Sequence, residues 1–122
     1  STDLSLIAGE TAVNLDRANQ AATFTNMAEG GEYGVIGNGS VTNTGALAIG
    51  YAAAADAAVL NFSNGTKGAQ AVTVTGTGLL SQTINSTGAA NTTGAFAGAA
   101  TVTATTVNAT TDLTTGAATN LG

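Results

Sequence analysis

Four residue types that carry much of protein chemistry are missing from this sequence of 122 residues: histidine, cysteine, proline and tryptophan. Histidine and cysteine supply most proton shuttles, nucleophiles and transition-metal ligands, so their absence removes most catalytic mechanisms. We therefore expect that the chain is not an enzyme and that it has no catalytic residue, cofactor or bound metal. The lack of cysteine says little about the compartment, because disulfides are an option outside the cell rather than a requirement.

Charged residues are also scarce. The sequence has only two cations, Arg17 and Lys67, against seven acids, and its formal net charge is −5. Only 7% of the residues are charged, where roughly a quarter is usual in a soluble domain. Two cations cannot neutralise the phosphates of a nucleic acid or of an acidic membrane surface, so we expect neither as a partner. No run of about 20 apolar residues is present, and we therefore expect no membrane span.

Alternation with a period of two dominates the sequence, and it predicts β-strands. Leu47, Ile49 and Tyr51 alternate with small residues and so share one face of a strand. Turn signals such as the Asn-Gly pairs at 38–39 and 64–65 recur roughly every ten to twelve residues, which is typical of a β-sandwich or barrel. The sequence therefore predicts one all-β domain.

Three points remain open at this level. Residues 52–60 are rich in alanine and fit either a short helix or a strand of small residues. The last third, from about Ser81, has few bulky residues and fits thin strands, long loops or partial disorder. The Thr, Gly and Asn composition also suits a β-solenoid, which is the alternative architecture, although no clean repeat of about 20 to 50 residues is visible.

Glu29 and Glu32 are the closest pair of acids, and they lie in the glycine-rich stretch 28–34. A glycosidase needs two carboxylates that face each other across a cleft. We interpret this pair instead as solvated turn carboxylates. A Ca²⁺ site on the flexible loop is the alternative, although no EF-hand spacing supports it.

Six of the eleven asparagines stand in the sequence Asn-X-Ser/Thr, which is the acceptor for N-linked sugar. A threonine-rich β protein with asparagine in its turns would also contain several such sequons by chance, so both interpretations stay open. Glycans on an external protein would explain how a chain so poor in charge remains soluble. The candidate glycosylation sites are Asn38, Asn61, Asn64, Asn85, Asn91 and Asn108.

The stretch 24–52 resembles the signature of the TasA/camelysin family. In that family an Asn-Leu-x-Pro-Gly-Asp loop leads into a strand that ends in Val-x-Asn-x-Gly, and Ser-Leu-x-Ile-x-Tyr follows. Here residues 26–30 (Asn-Met-Ala-Glu-Gly) take the place of the loop, and 41–45 (Val-Thr-Asn-Thr-Gly) form the strand end. Residues 46–51 (Ala-Leu-Ala-Ile-Gly-Tyr) then follow in register.

The resemblance implies an extracellular fibre. Members of the family form biofilm matrix fibres in bacteria, and similar archaeal proteins form bundling pili. A jelly-roll β-sandwich is implied, in which the N-terminal segment of one subunit completes the sheet of the next in a head-to-tail homopolymer. Lateral bundling of identical filaments stays open. The metalloprotease activity described for camelysin is not carried over, because the usual zinc site cannot be built without histidine.

The segment 1–16 fits the role of the donor strand, and 17–122 would then form the β-sandwich domain. Its apolar residues alternate in pairs on one face, and no proline interrupts pairing with a neighbour. Because head-to-tail addition does not close, it produces a filament. Under this mechanism a chain without residues 1–8 stays a soluble monomer. The four predicted donor residues are Leu4, Leu6, Val13 and Leu15.

The expected location is outside the cell, at the cell surface or in a biofilm matrix. The first residue is Ser1 rather than Met, which we interpret as the result of signal-peptide removal. The low charge and the sequons favour the same location. The alternative function is a β-solenoid segment of a surface-layer protein or of an autotransporter-type adhesin.

Overall fold

The computed structural model describes residues 1–7, 9–43 and 45–122. Ala8 of the predicted donor segment and Thr44 of the predicted strand end lie outside the described residues. The described chain consists of short strands joined by turns, with one 3-10 turn at Leu4–Leu6. The strands are β1 (Thr2–Asp3), β2 (Ala12–Asp16), β3 (Ala22–Met27), β4 (Glu32–Ile36), β5 (Leu47–Tyr51), β6 (Ala57–Ser63), β7 (Val72–Thr75), β8 (Ser81–Thr87), β9 (Asn91–Thr92), β10 (Phe96–Ala97), β11 (Ala104–Ala109), β12 (Leu113–Thr114) and β13 (Ala118–Thr119).

The strands form two long sheets. Sheet A has the order β1-β3-β5-β7-β10-β13, sheet B has the order β2-β4-β6-β8-β11, and β9 pairs with β12 in a small third sheet. Every pairing in the described part of the chain is parallel. The chain passes alternately through sheets A and B, so each strand lies beside the strand of the previous turn. The fold is therefore a β-solenoid of stacked coils.

The coils differ in length. In sheet B, Ala12 pairs with Glu32, and Glu32 in turn pairs with Val59, so the coil that starts at Glu32 is longer than the one before it. This variation hides the repeat in the sequence, because the extra residues between strands shift the period from one coil to the next.

The predicted all-β class is confirmed, but the predicted jelly-roll sandwich is not the fold of this chain. A jelly roll is built from antiparallel strands, whereas the described strands pair in parallel. The sequence pattern did not separate the two folds, because a strand with one buried face has the same period of two in both. The observed architecture is the β-solenoid that the composition offered as the alternative.

The core lies between sheets A and B and consists of columns of side chains, with one residue from each coil. One column contains Val13, Tyr33, Leu60, Ile84 and Val107 in successive strands of sheet B. Its three middle members are buried, its first member is partly buried and its last is exposed. Each interior side chain is covered by the coils before and after it, so burial is complete only in the middle of the stack.

The segments that the sequence left open are now assigned. Leu47, Ile49 and Tyr51 form the buried face of β5, as the alternation predicted. Residues 52–60 contain a turn and the start of β6 rather than a helix. The last third forms two of the longer strands, β8 and β11, and four strands of two residues each, β9, β10, β12 and β13. Within the described residues, no helix has the length and apolar character needed to cross a membrane.

Asn91 is the polar centre of one corner of the coil, where its side chain is only 1% exposed. Its Oδ1 accepts hydrogen bonds from the backbone N–H groups of Gly65 and Thr66, at 3.0 and 2.9 Å. Its Nδ2 donates to the carbonyl oxygens of Phe62 and Thr87, both at 3.2 Å. These bonds satisfy backbone groups at a turn, which would otherwise be buried without partners.

Tyr33 and Tyr51 pack edge to face in the core, with ring centroids 5.6 Å apart. The Tyr33 hydroxyl donates to the carbonyl oxygen of Gly50 at 3.2 Å. The Tyr51 hydroxyl donates to the carbonyl oxygen of Gly31 at 2.8 Å and accepts from the N–H of Val59 at 2.9 Å. Burial raises the pKa of Tyr51 to about 12 and also raises the pKa of Tyr33, because a buried phenolate would lose its hydration.

Replacement of Asn91 should destabilise the fold strongly. Asn91→Ala is expected to lower the free energy of unfolding by about 3 kcal/mol or more, because each buried backbone group left without a partner costs about 1–3 kcal/mol. Urea unfolding followed by circular dichroism measures this change. The matched control is Asn108→Ala, at an exposed position on β11, for which a loss below about 1 kcal/mol is expected. Equal losses in the two variants would contradict the role given to Asn91.

Alkaline pH should unfold the protein through its tyrosines. The pKa of tyrosine in an unfolded chain is about 10, which is below the folded pKa of about 12 at Tyr51. Folding therefore favours the neutral phenols. Their contribution to the free energy of unfolding is fully present below about pH 10 and is lost as the pH rises further. Tyrosinate absorbance and circular dichroism, recorded against pH, should change together. Ionisation of both tyrosines near pH 10 in a protein that remains folded would show that they are not buried.

Candidate functional site: the ends of the solenoid

The ends of the stack are where the regular arrangement of the solenoid stops. In its middle, each strand has hydrogen-bonded neighbours on both sides, and two coils cover each interior side chain. In the described part of the chain, the strands at each end of the stack have such a neighbour on one side only, so backbone groups and apolar side chains there face the solvent. The two ends are therefore the candidate functional site.

The C-terminal end is formed by β11 and β13, the outermost strands of sheets B and A. β11 pairs with β8 along all of its residues from Ala104 to Ala109, and the described residues provide no strand for its other edge. Val107, on the inward side of β11, is 54% exposed, and Leu121 beyond β13 is 42% exposed. An edge strand whose backbone groups are free on one side is a template for another strand.

An open cavity of about 320 Å³ lies inside the last coil. Ile84 and Phe96, which contribute to its wall, are buried at 4% and 2% exposure, whereas Val107 at its rim faces the solvent. The apolar core is therefore open at this end of the stack. The residues that line the cavity are Ile84, Phe96, Val107, Ala109, Asp112, Leu113, Thr115, Ala118 and Leu121.

Residues 1–7, which we call the N-terminal cap, cover the opposite end of the stack. Thr2 and Asp3 pair with the outer edge of β3. The 3-10 turn that follows leads from sheet A towards sheet B, and it buries Leu4 in the core at 2% exposure. The Asp3 carboxylate accepts hydrogen bonds from Nδ2 of Asn26 at 2.8 Å and from the N–H of Ser5 at 3.0 Å. The bond from Asn26 is the main cause of a lowered Asp3 pKa.

The N-terminal cap covers its end incompletely. Leu6 is 85% exposed and Ile7 is 47% exposed, while Val13 and Leu15 of β2 and Phe24 of β3 are only partly buried against the core. An open cavity of about 590 Å³ lies beside the cap. The N-terminal end therefore presents a second apolar surface. The residues that line the cavity are Leu4, Ser5, Ile7, Gly9, Glu10, Asn26, Ala28 and Ala52.

The four predicted donor residues occupy different environments. Leu4 is buried in the core of its own chain and Leu6 is exposed, whereas Val13 and Leu15 point inward from β2. β2 pairs with β4 of the same chain, and β1 pairs with β3. In this structure the described residues of the segment 1–16 thus complete the sheets of their own chain. The transfer of that segment to a neighbouring subunit stays a prediction.

Three of the predicted glycosylation sites form a ladder across the outer face of sheet B. Nδ2 of Asn108 donates to Oδ1 of Asn85 at 3.0 Å, and Nδ2 of Asn85 donates to Oδ1 of Asn61 at 2.7 Å. Nδ2 of Asn61 in turn donates to Oε2 of Glu32 at 3.0 Å. Sequence reasoning missed this ladder, although its asparagines recur at nearly equal spacings that reflect the length of the coil.

The other three predicted glycosylation sites differ in exposure. Asn38 and Asn64 are exposed in turns, and Oδ1 of Asn38 accepts hydrogen bonds from the N–H groups of Ser40 and Val41. Asn91 is enclosed, and its amide is occupied by backbone groups of the corner. A glycan on Asn91 is therefore incompatible with the folded chain, whereas Asn38 and Asn64 can carry one.

The acidic pair of the glycine-rich loop connects neighbouring coils. Oε2 of Glu29 accepts a hydrogen bond from the N–H of Asp56 at 2.7 Å, and Oε2 of Glu32 accepts one from Asn61. Among the residues that the structure describes, no three His, Cys, Asp or Glu side chains are grouped closely enough to hold a metal ion. The contacts of Glu29 and Glu32 are those of structural carboxylates.

The parallel stacking of the described strands defines the class of this protein, which is a β-solenoid. No protein-family model matches the sequence, and neither a curated protein nor a solved structure is significantly similar to it. The resemblance of residues 24–52 to the TasA/camelysin family therefore stays a prediction from the sequence.

The exposure of the sequons predicts which of them can carry sugar. If the chain is secreted from a host with N-glycosylation machinery, glycans are expected at Asn38 and Asn64 and absent from Asn91 in the folded product. Mass spectrometry of glycopeptides, before and after enzymatic removal of N-glycans, identifies the modified residues. A glycan on Asn91 in folded protein would contradict the burial of that corner. An intact mass equal to that of the bare 11.6 kDa chain would eliminate the glycan hypothesis altogether.

Proposed function

We propose that this chain is a structural protein of the cell exterior, a β-solenoid rod that is extended by the addition of another β-solenoid coil at its open C-terminal end. The most direct form of this function is the subunit of an extracellular filament, such as a pilus or a biofilm matrix fibre. The observation that carries the proposal is the last coil, in which unpaired strand edges surround an open apolar cavity of about 320 Å³.

The addition of a coil would give partners to the unpaired backbone groups of the open end and would cover its exposed apolar side chains. A strand placed beside β11 would pair with its free N–H and C=O groups, and inward side chains of that coil would cover Val107 and the cavity. In a parallel stack the two ends are different surfaces, so the contact is heterologous. Such a contact repeats without closing and gives a linear polymer.

Several features of the chain support a structural role without catalysis. The buried polar side chain of Asn91 is bonded to backbone groups at a corner, and Glu29 and Glu32 connect adjacent coils. The sequence offers no histidine or cysteine for nucleophilic or proton-transfer chemistry. The low charge and the exposed sequons at Asn38 and Asn64 favour a location outside the cell.

A segment of a surface-layer protein or of an adhesin is the second candidate function. The parallel stacking favours it, because a β-solenoid can be lengthened within one chain simply by further coils. In that arrangement the open end would be covered by more coils of the same polypeptide rather than by a second copy.

The size distribution of the purified chain tests the filament function. We expect end-to-end oligomers that grow with concentration, seen by sedimentation velocity and by negative-stain microscopy. Val107→Lys should reduce these oligomers strongly, because it places a charge on the inward side of the open end. Its matched control is Thr106→Lys, which alters the outward face of the same strand and should assemble like the wild type.

Two outcomes would count against this function. Monodisperse rods at every concentration would favour the surface-layer or adhesin segment over the filament. Oligomers that persist unchanged in the Val107→Lys variant would show that the open end is not the joint.

A further inference from the structure

The two long sheets contain unequal numbers of strands. Sheet A has six strands and sheet B has five, because the first described strand, β1, and the last, β13, both lie in sheet A. Of these two outer strands, β1 is the one that has an irregular connection to sheet B. β1 lies on the outer edge of β3. The connection from β1 to β2 spans 4–11 and includes the 3-10 turn, whereas the equivalent connection from β3 to β4 spans only 28–31. The first strand therefore belongs to the N-terminal cap rather than to a regular coil.

This unequal count determines how two copies can stack. If β1 stays in place, it can pair with β13 of a second copy, but sheet B then lacks one strand between β11 of that copy and β2. If β1 is displaced, β13 can pair with β3 while β11 pairs with β2. Both sheets then continue across the joint without a gap. The columns of sheet A place Ala118 and Thr119 against Ala22 and Thr23. The residues that follow β13, 120–121, would then lie against Phe24 and Thr25, where β1 pairs, so β1 competes with this continuation of β13 for the edge of β3.

We propose that the N-terminal cap is removable and that it competes with the last coil of a second copy for the outer edge of β3. This inference rests on the proposed assembly function, and it names the partner as a second copy of this chain. It also reverses the role that the sequence suggested for the N-terminal segment. The cap blocks assembly until it leaves, whereas a donor strand would be required for assembly.

The columns of the stack define the register of the joint. In sheet B the outward column contains Asn14, Gly34, Asn61, Asn85 and Asn108. Continuation of this column places Asn14 of the next copy beside Asn108 and extends the asparagine ladder by one residue. The same register between β11 and β2 also continues the inward columns of sheet B, so neither strand has to shift.

The inward columns match across the same joint. Pairing of Asn108 with Asn14 places Val107 against Val13 and Ala109 against Leu15. These side chains are partly buried or exposed at the two ends of the isolated chain. The joint would cover them in the way that each middle coil covers its neighbours. One coil is similar in size to one side of a stable interface, which uses about 20–30 residues.

The N-terminal cap is held by few interactions. Only Thr2 and Asp3 pair with β3, Leu4 is its one buried apolar side chain, and Leu6 and Ile7 remain exposed. The hydrogen bonds of Asp3 lie at the surface, where water replaces them on release. An open cavity of about 590 Å³ lies beside the cap, so the cap is not packed against the rest of the chain on every side.

Deletion of residues 1–8 tests the proposal most simply. The variant should assemble at a concentration about tenfold or more below that needed by the wild type. If the cap is closed in about nine-tenths of the wild-type molecules or more, only about one-tenth can bind a second copy, and the apparent affinity falls about tenfold. Light scattering and sedimentation velocity measure the change. A folded variant that stays monomeric at all concentrations would overturn the proposal, and this is the result that donor-strand exchange predicts.

A disulfide lock provides a second test that does not depend on the folding of the deletion variant. Asp3 and Thr25 are register partners on β1 and β3, and the spacing of about 4.8 Å between paired strands lies within the range that a disulfide spans. The chain has no other cysteine, so the double variant Asp3→Cys, Thr25→Cys can form only this intramolecular bond. The oxidised form should not assemble, and the reduced form of the same protein should assemble at least as readily as the wild type.

The outcomes also separate this proposal from the proposed function. Assembly that is equal in the oxidised and reduced forms would overturn the removable cap. If Val107→Lys still prevents that assembly, the open end remains the joint and the proposed function stands. If the deletion variant assembles and Val107→Lys within it has no effect, the proposed joint is wrong.

Discussion

Parallel hydrogen bonding between successive coils is the constraint on which the rest of this structure depends. Each strand is satisfied only when another strand of the same direction lies on both sides of it, one coil earlier and one coil later. The side chains follow the same rule, because the columns of the core are closed only by neighbouring coils. Stability therefore comes from stacking, and it decreases towards both ends of the chain.

The composition of the chain follows from this constraint. At the corners the backbones of adjacent coils approach closely, and a Cβ on Gly37 would collide with the backbone at Gly65 and Thr66. Backbone N–H groups at a corner are not hydrogen-bonded within the sheets and need other partners. The buried side chains of Asn91 and Asn43 accept hydrogen bonds from such groups. Glycine, threonine and asparagine thus have structural roles, and few charged residues are required.

The sequence predicted the class of the fold better than its topology. The buried face of Leu47, Ile49 and Tyr51 and the turns at Asn38 and Asn64 could be predicted, because alternation and positive φ are local properties. Parallel pairing could not be predicted in the same way, because it depends on partners that lie a whole coil away in the sequence, and the coils are of unequal length.

The same limitation applied to the N-terminal segment. Its alternation indicates a strand, but not whether that strand pairs with its own chain or with a neighbour.

The two ends connect the fold to a function. A stack of this kind must be capped or continued. Among the described residues, 1–7 cover one end of the stack, whereas β11 and β13 at the other end have a neighbouring strand on one side only. The most direct test is a cryo-electron microscopy map of filaments formed by the chain without residues 1–8. Without β1, sheets A and B would have five strands each. The account therefore predicts strands perpendicular to the filament axis and an axial rise of about 24 Å per subunit, or five strand spacings. Strands that run along the axis, or a joint in which β11 and β2 do not pair, would contradict it.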